Sequence, residues 1–124
     1  MKTILLIEDD AWLAELYTDV LKMASYRVVH ATDAQQGLER LDEQSVDVII
    51  LDLLLPGHNG IALLQELRSY PDIAHIPIII HSGIDPQASD IAPETWAAYG
   101  VAAYVLKGAS RPKELVRTVR QVIA

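Results

Sequence analysis

Residues 48–57 read VIILDLLLPG, and no other stretch restricts the fold as tightly. Four apolar residues run without a break into Asp52, three leucines follow, and Pro56-Gly57 closes the segment. An uninterrupted apolar run bounded by turn residues suits a strand buried on both faces, as in a parallel sheet. Such a strand has to stop near Asp52, because Pro56 has no N–H for a ladder and Gly57 permits a turn. One carboxylate is thereby delivered to the carboxyl end of a central strand, where open α/β sheets place their ligands. Taken alone, Asp52 reads equally well as a loop aspartate that caps the next helix.

The remainder of the chain repeats this unit. Residues 1–7 (MKTILLI) form a buried-strand pattern that meets Glu8-Asp9-Asp10, and then Leu13, Leu16, Tyr17, Val20, Leu21 and Ala24 recur at helical spacing. Residues 27–30 (RVVH) are a short second strand, followed by a capping box with Thr32 as N-cap and Gln35 reaching back. The second helix carries Ala34, Leu38 and Leu41, and the third strand covers 46–51. Asn59-Gly60 reads as a turn and cap before a third helix with Ile61, Leu64 and Leu67 inward, closed by Pro71-Asp72. The fourth strand is 77–81 (PIIIH), ending at Ser82-Gly83, and 84–92 is a long loop. Pro93-Glu94 opens a helix with Trp96, Ala97 and Tyr99 that stops at Gly100. The fifth strand, 101–106, ends at Lys107-Gly108, and Ser110 to Pro112 opens a last helix with Leu115, Val116, Val119, Val122 and Ile123 buried. Five strands alternating with five helices predict an α/β domain with a parallel sheet and right-handed crossovers.

Composition narrows what such a domain does. A 124-residue chain is one domain, and at 51% hydrophobic it is not disordered. A net charge of −7 without any Lys/Arg run argues against nucleic acid and anionic membrane as direct partners. The absence of cysteine removes disulfides, thiolate metal sites and thiol nucleophiles and fits a cytoplasmic location. No apolar run approaches the ~20 residues of a membrane span, and the N-terminus lacks the pattern of a signal peptide.

Four strand ends carry polar groups suited to one site: Glu8 and Asp9, Asp52, Ser82, and Lys107. Each has an ordinary explanation on its own. The acids include an N-cap and first-turn pair, Lys107 is a solvated loop lysine, and Ser82 makes a local turn bond. Together they compose phosphoryl transfer to a carboxylate. An aspartate can act as nucleophile, carboxylates hold Mg²⁺ beside phosphate oxygens, and a lysine ammonium and a hydroxyl neutralise and bind those oxygens. Three acids at one strand end repel one another unless a cation sits among them.

The pieces ILLIEDD, VIILDLLLPGHNG, PIIIHSG and AAYVLKG make the whole chain resemble the receiver domain of two-component response regulators. The resemblance implies a flavodoxin-like, doubly wound (βα)5 fold with strand order 2-1-3-4-5 over residues 1–124. It implies Asp52 as phosphoacceptor, Glu8 and Asp9 as the metal-binding acidic pair, and the Leu54 carbonyl as a further Mg²⁺ ligand. By the same likeness Ser82 is the switch hydroxyl, Lys107 the site lysine, and Tyr104 the aromatic that turns inward with Ser82. The donor would be a histidine kinase or a histidine phosphotransfer protein, and a second copy of the domain is a further candidate partner on phosphorylation. The face of helix four, strand five and helix five would carry the signal. No metabolite would be turned over, since the domain would only catalyse its own phosphorylation and dephosphorylation.

Some features depart from the family pattern. Gly108 follows Lys107 where the family has proline, and the segment from Ser82 to Lys107 is a few residues longer than usual. Leu54 and Ile84, two residues after Asp52 and Ser82, are apolar and predict shielding of an acyl phosphate and slow self-dephosphorylation. The four histidines are scattered; His81 should face away from Ser82, and His58 stands in the loop after the phosphoacceptor strand. Two rival functions remain. A phosphatase with a phospho-aspartate intermediate often has a second acid two residues on, where this chain has Leu54. A phosphate-independent receiver-like interaction domain usually loses the acids kept here.

Overall fold

A computed structural model describes residues 1–55, 58–88, 91–108 and 111–123. Pro56-Gly57, Ser110 and the His58 side chain, all invoked above, lie outside the described residues. In chain order the elements are β1 (Thr3–Ile7), α1 (Ala11–Met23), β2 (Arg27–Ala31), α2 (Ala34–Glu43), β3 (Val48–Leu51), α3 (Gly60–Ser69), β4 (Ile78–Ser82), α4 (Pro93–Ala98), β5 (Val101–Leu106) and α5 (Pro112–Ile123). The five strands form one parallel sheet in the order β2-β1-β3-β4-β5, as expected.

The alternation of side chains along each strand divides the core in two. Leu5, Ile7, Ile49, Leu51, Ile78 and Ile80 face one side, where Ala34 of α2, Leu63, Leu64 and Leu67 of α3, and Trp96 of α4 cover them. Ile4, Leu6, Val48, Ile50 and Ile79 face the other, covered by Ala14, Tyr17 and Leu21 of α1 and Leu115, Val116 and Val119 of α5. Both faces of β1 and β3 are therefore dry, which is why these strands read as unbroken apolar runs. Full burial of each large aliphatic side chain contributes roughly 1.5–3 kcal/mol. No helix among the described residues is long and apolar enough to cross a membrane.

Several boundaries differ from the sequence expectation for local reasons. The third strand starts at Val48 rather than 46, because the Thr3 N–H is taken by the Asp47 carboxylate at 2.8 Å instead of by a backbone carbonyl. The N-cap of α2 is Asp33, not Thr32: its side chain accepts the Gln36 N–H at 2.8 Å, and Gln36 Oε1 accepts from the Thr32 N–H. The box is thus shifted by one residue. The fourth strand reaches Ser82, one residue beyond the expected end. A 3₁₀ turn, Pro86–Ala88, occupies part of the segment read as loop.

Asn59-Gly60 is not a simple turn. Leu54–Leu55 and His58–Asn59 pair as a two-residue antiparallel ladder, and Gly60 is already the first residue of α3. A Cβ at Gly60 would lie 2.6 Å from Leu53 Cα, so the close approach of α3 to the segment after Asp52 requires glycine.

Candidate functional site

The carboxyl ends of β1, β3, β4 and β5 lie side by side in the sheet, and between them they deliver the five predicted groups, two from β1 and one from each of the others. Glu8 follows β1 directly and is buried; Asp9 is exposed; Asp10 turns away to cap α1, its carboxylate accepting the Leu13 N–H at 3.0 Å. Asp52 follows β3 and is buried. Carboxylate oxygens of Glu8, Asp9 and Asp52 all come within 4.8 Å of one another. Oxygen donors alone, gathered this closely, suit a hard divalent cation such as Mg²⁺.

Lys107, one residue past β5, reaches across the sheet end. Its Nζ donates to Asp52 Oδ2 at 2.8 Å and to Glu8 Oε1. The other Asp52 oxygen, Oδ1, accepts the Leu54 N–H at 3.0 Å, so each carboxylate oxygen has its own donor. Glu8 Oε2 accepts the Asp10 N–H at 3.2 Å. Burial pushes the Glu8 carboxyl above the usual range and Asp52 adds to this, while the Lys107 bond and the Asp10 N–H only partly oppose it. Burial also acts to lower Lys107, but its bonds to Asp52 and Glu8 outweigh that and hold it above an ordinary lysine. The Gly108 that replaces the family's proline has φ +82°, a left-handed conformation closed to proline. Among the described residues no peptide bond is cis. Lys107 is aimed all the same, by its own N–H bonding the Ser82 carbonyl at 2.7 Å.

Ser82, fully buried, ends β4 on the side of the sheet that carries α4, and its Oγ accepts the Ile84 N–H at 3.3 Å. Tyr104 lies half-buried on β5 on the same side and donates its hydroxyl hydrogen to the Ile84 carbonyl. Leu54 and Ile84 part company. Leu54 is 60% exposed beside Asp52, whereas Ile84 packs into the apolar cluster under α4.

Some contacts carried no sequence signal. His30 Nε2 lies 2.8 Å from the Glu8 carbonyl oxygen, although the histidines had looked unconnected. His81 does face away from Ser82, and its ring meets Tyr17 edge-on at 4.6 Å between centroids. Burial lowers its pKa to about 4, with the Lys107 charge acting in the same direction. Trp96 meets Tyr104 edge-on at 5.7 Å.

The family model for the response regulator receiver domain matches residues 4–120. The chain belongs to the response regulator receiver family. It is 32% identical over 120 residues to the probable transcriptional regulator ycf27 of Guillardia theta, covering 97% of this chain and 44% of that protein. It is likewise 32% identical over 122 residues to the phosphate regulon transcriptional regulatory protein PhoB of Pseudomonas aeruginosa, covering 98% and 52%. The receiver thus spans about half the length of these relatives. Among solved structures, a putative response regulator from Chloroflexus aurantiacus J-10-fl superposes with a TM-score of 0.83 at 30% identity, covering 98% of this chain and 97% of that one. The response regulator TrrA of Thermotoga maritima, solved in complex with Mg(2+)-BeF, shares the fold with a TM-score of 0.82 at 24% identity, covering 98% and 99%.

Proposed function

We propose that residues 1–124 form one cytoplasmic receiver domain that takes a phosphoryl group on Asp52 from a histidine kinase or a histidine phosphotransfer protein. The observation that carries this reading is the Lys107 bridge between Asp52 and Glu8, with Asp9 in reach of both. In the reaction an Asp52 oxygen bonds to phosphorus as the donor's N–P bond breaks, the imidazole leaving with the electron pair; water later cleaves the acyl phosphate to inorganic phosphate and Asp52. The barrier to such transfer is met mainly by positioning and charge neutralisation. Asp52 is positioned by its two separate donors, and the Lys107 ammonium is placed to neutralise phosphoryl oxygens. Glu8, Asp9, Asp52 and the Leu54 carbonyl would hold Mg²⁺, which when bound offsets negative charge on carboxylates and phosphate oxygens.

The Ser82 hydroxyl would turn from the Ile84 N–H to a phosphoryl oxygen, Tyr104 would follow it, and the α4, β5 and α5 face would shift between two arrangements. The domain would catalyse only its own phosphorylation and dephosphorylation. Incubation with acetyl phosphate and Mg²⁺, followed by intact mass, tests this. A phosphate-sized gain is expected in the wild type and not in Asp52→Asn; equal gain in both, or none in either, overturns the assignment.

A further inference from the structure

We infer that His30 is a positioning residue for the metal-binding acids: its hydrogen bond to the Glu8 carbonyl sets the peptide between Glu8 and Asp9 and so aims Asp9. This role rests on the receiver function proposed above and deepens it.

The bond exists because β1 and β2 end unevenly. The two strands run in parallel register, with Leu6 opposite His30 and Ile7 opposite Ala31. One residue past β1, the Glu8 N–H still donates to the Ala31 carbonyl at 2.9 Å. A ladder carried further would bring the Asp33 N–H to the Glu8 carbonyl. Asp33 has by then left the sheet to cap α2, and the Glu8 carbonyl loses that donor. A backbone carbonyl at a buried residue needs another partner. His30, half-buried at the end of β2, supplies it from Nε2 at 2.8 Å. A carbonyl oxygen only accepts, so Nε2 is the nitrogen that carries the hydrogen.

Glu8 is thereby held at every polar atom. Its N–H and carbonyl are tied to β2, one carboxylate oxygen to Lys107 and the other to the Asp10 N–H. Asp9 differs: it is exposed, and among the described residues its side chain has no hydrogen bond. Its carboxylate still stands within 4.8 Å of ligand oxygens on Glu8 and Asp52. The backbone directs it there. The Glu8 carbonyl and the Asp9 N–H and Cα share one rigid plane, so the His30 bond orients the point from which the Asp9 side chain departs. Without that bond the plane loses the tether on its oxygen, and Asp9 swings from the cluster while Lys107 keeps Glu8. Groups that orient metal ligands from behind tune affinity by about 10- to 100-fold, and the lower end applies where one ligand of several is misaimed.

The test compares His30→Phe and His30→Val, which remove the donor and suit a strand, with His30→Gln, which keeps an N–H at similar reach. Tm is followed as Mg²⁺ replaces K⁺ at constant ionic strength, which gives a Mg²⁺ dissociation constant for unphosphorylated protein. Phosphoryl gain from acetyl phosphate is followed by intact mass across the same Mg²⁺ range. Both donor-free variants should bind Mg²⁺ about tenfold more weakly than wild type, and His30→Gln within about twofold of it. The Mg²⁺ concentration for half-maximal phosphorylation should shift by the same factor, with the rate at saturating Mg²⁺ unchanged. Wild-type affinity in either donor-free variant, or His30→Gln as weak as they are, overturns the role of His30 and leaves the receiver function standing. A wild type that gains no phosphate overturns that function, and the role of His30 with it.

Discussion

Lys107 Nζ stands 2.8 Å from Asp52 Oδ2 and also bonds Glu8, so one cation fastens the ends of β1, β3 and β5 together. Lys107→Ala leaves two buried carboxylates facing each other. Removing one partner of a buried ion pair costs about 3–5 kcal/mol, and the lower end, about 3 kcal/mol, applies because Lys107 keeps some contact with water. Urea unfolding at neutral pH in a chelator should show that loss. Because the folded pKa of Lys107 is raised, its contribution is complete below the ordinary lysine value of 10.5 and is lost as the pH rises through the higher folded value. A variant as stable as wild type would mean that the bridge contributes nothing.

Three carboxylates against one lysine leave the pocket negative, so a divalent cation should stabilise the fold. At 100 times its dissociation constant Mg²⁺ would add about 2.7 kcal/mol. Thermal unfolding with Mg²⁺ against K⁺ at equal ionic strength should show a rise in Tm for wild type and a much smaller one for Asp9→Asn. Asp9 is exposed, and replacing it disturbs little else. An equal rise in both proteins would place the ion elsewhere.

Gly60→Ala should destabilise through a clash that cannot relax into a side chain. The added Cβ meets the Cα, carbonyl carbon and oxygen of Leu53, the residue next to Asp52. Overpacking of this kind costs about 1–3 kcal/mol. Phosphoryl acceptance should fall with it, since Leu53 leads to the Leu54 N–H that holds Asp52. Unchanged urea midpoint and unchanged phosphorylation would show that the segment gives way freely.

The strand ends were legible because each polar group follows an apolar run that the sheet must bury. Asp52 after VIIL and Lys107 after VAAYVL could hardly be elsewhere than at the sheet's carboxyl edge. What stayed hidden depends on contacts between residues far apart in the chain. Asp47 replaces a ladder carbonyl only because Thr3 lies opposite it. Gly60 looked like a turn glycine because the tightness of Leu53 against α3 has no sequence pattern. The Thr32 and Asp33 caps were one residue apart with equivalent chemistry, so sequence alone did not decide between them. His30 met the Glu8 carbonyl across two adjacent strands, a pairing that register sets and composition does not.

Phosphoryl lifetime should depend on Leu54 far more than on Ile84. Leu54 stands exposed beside Asp52, whereas Ile84 is turned into the core with its backbone engaged by Ser82 and Tyr104. Loss of radiolabelled phosphoryl after donor removal should take minutes or longer in wild type and run severalfold faster in Leu54→Asn. A wild-type half-life of seconds, or no acceleration in the variant, would end the shielding idea.

His81 should make the domain sensitive to mild acid. It is 3% exposed, set edge-on against Tyr17, and faces the charges of Lys107 at the end of β5 and Asp52 at the end of β3. Burial first, and Lys107 second, lower its pKa to about 4 from the ordinary 6.5. The unfolded chain therefore takes up a proton on this side chain below pH 6.5 that the folded chain refuses until near pH 4. Stability associated with His81 is present above 6.5 and is lost as the pH falls through that window, by about 2 kcal/mol at pH 5. Glu8, whose raised pKa acts in the opposite direction, is present in wild type and variant alike and cancels in their comparison. Urea midpoints for wild type and His81→Leu at pH 7 and pH 5 isolate the histidine. The wild type should lose about 2 kcal/mol more than the variant over that interval. Equal losses would mean that the His81 ring already reaches water and titrates like a free imidazole.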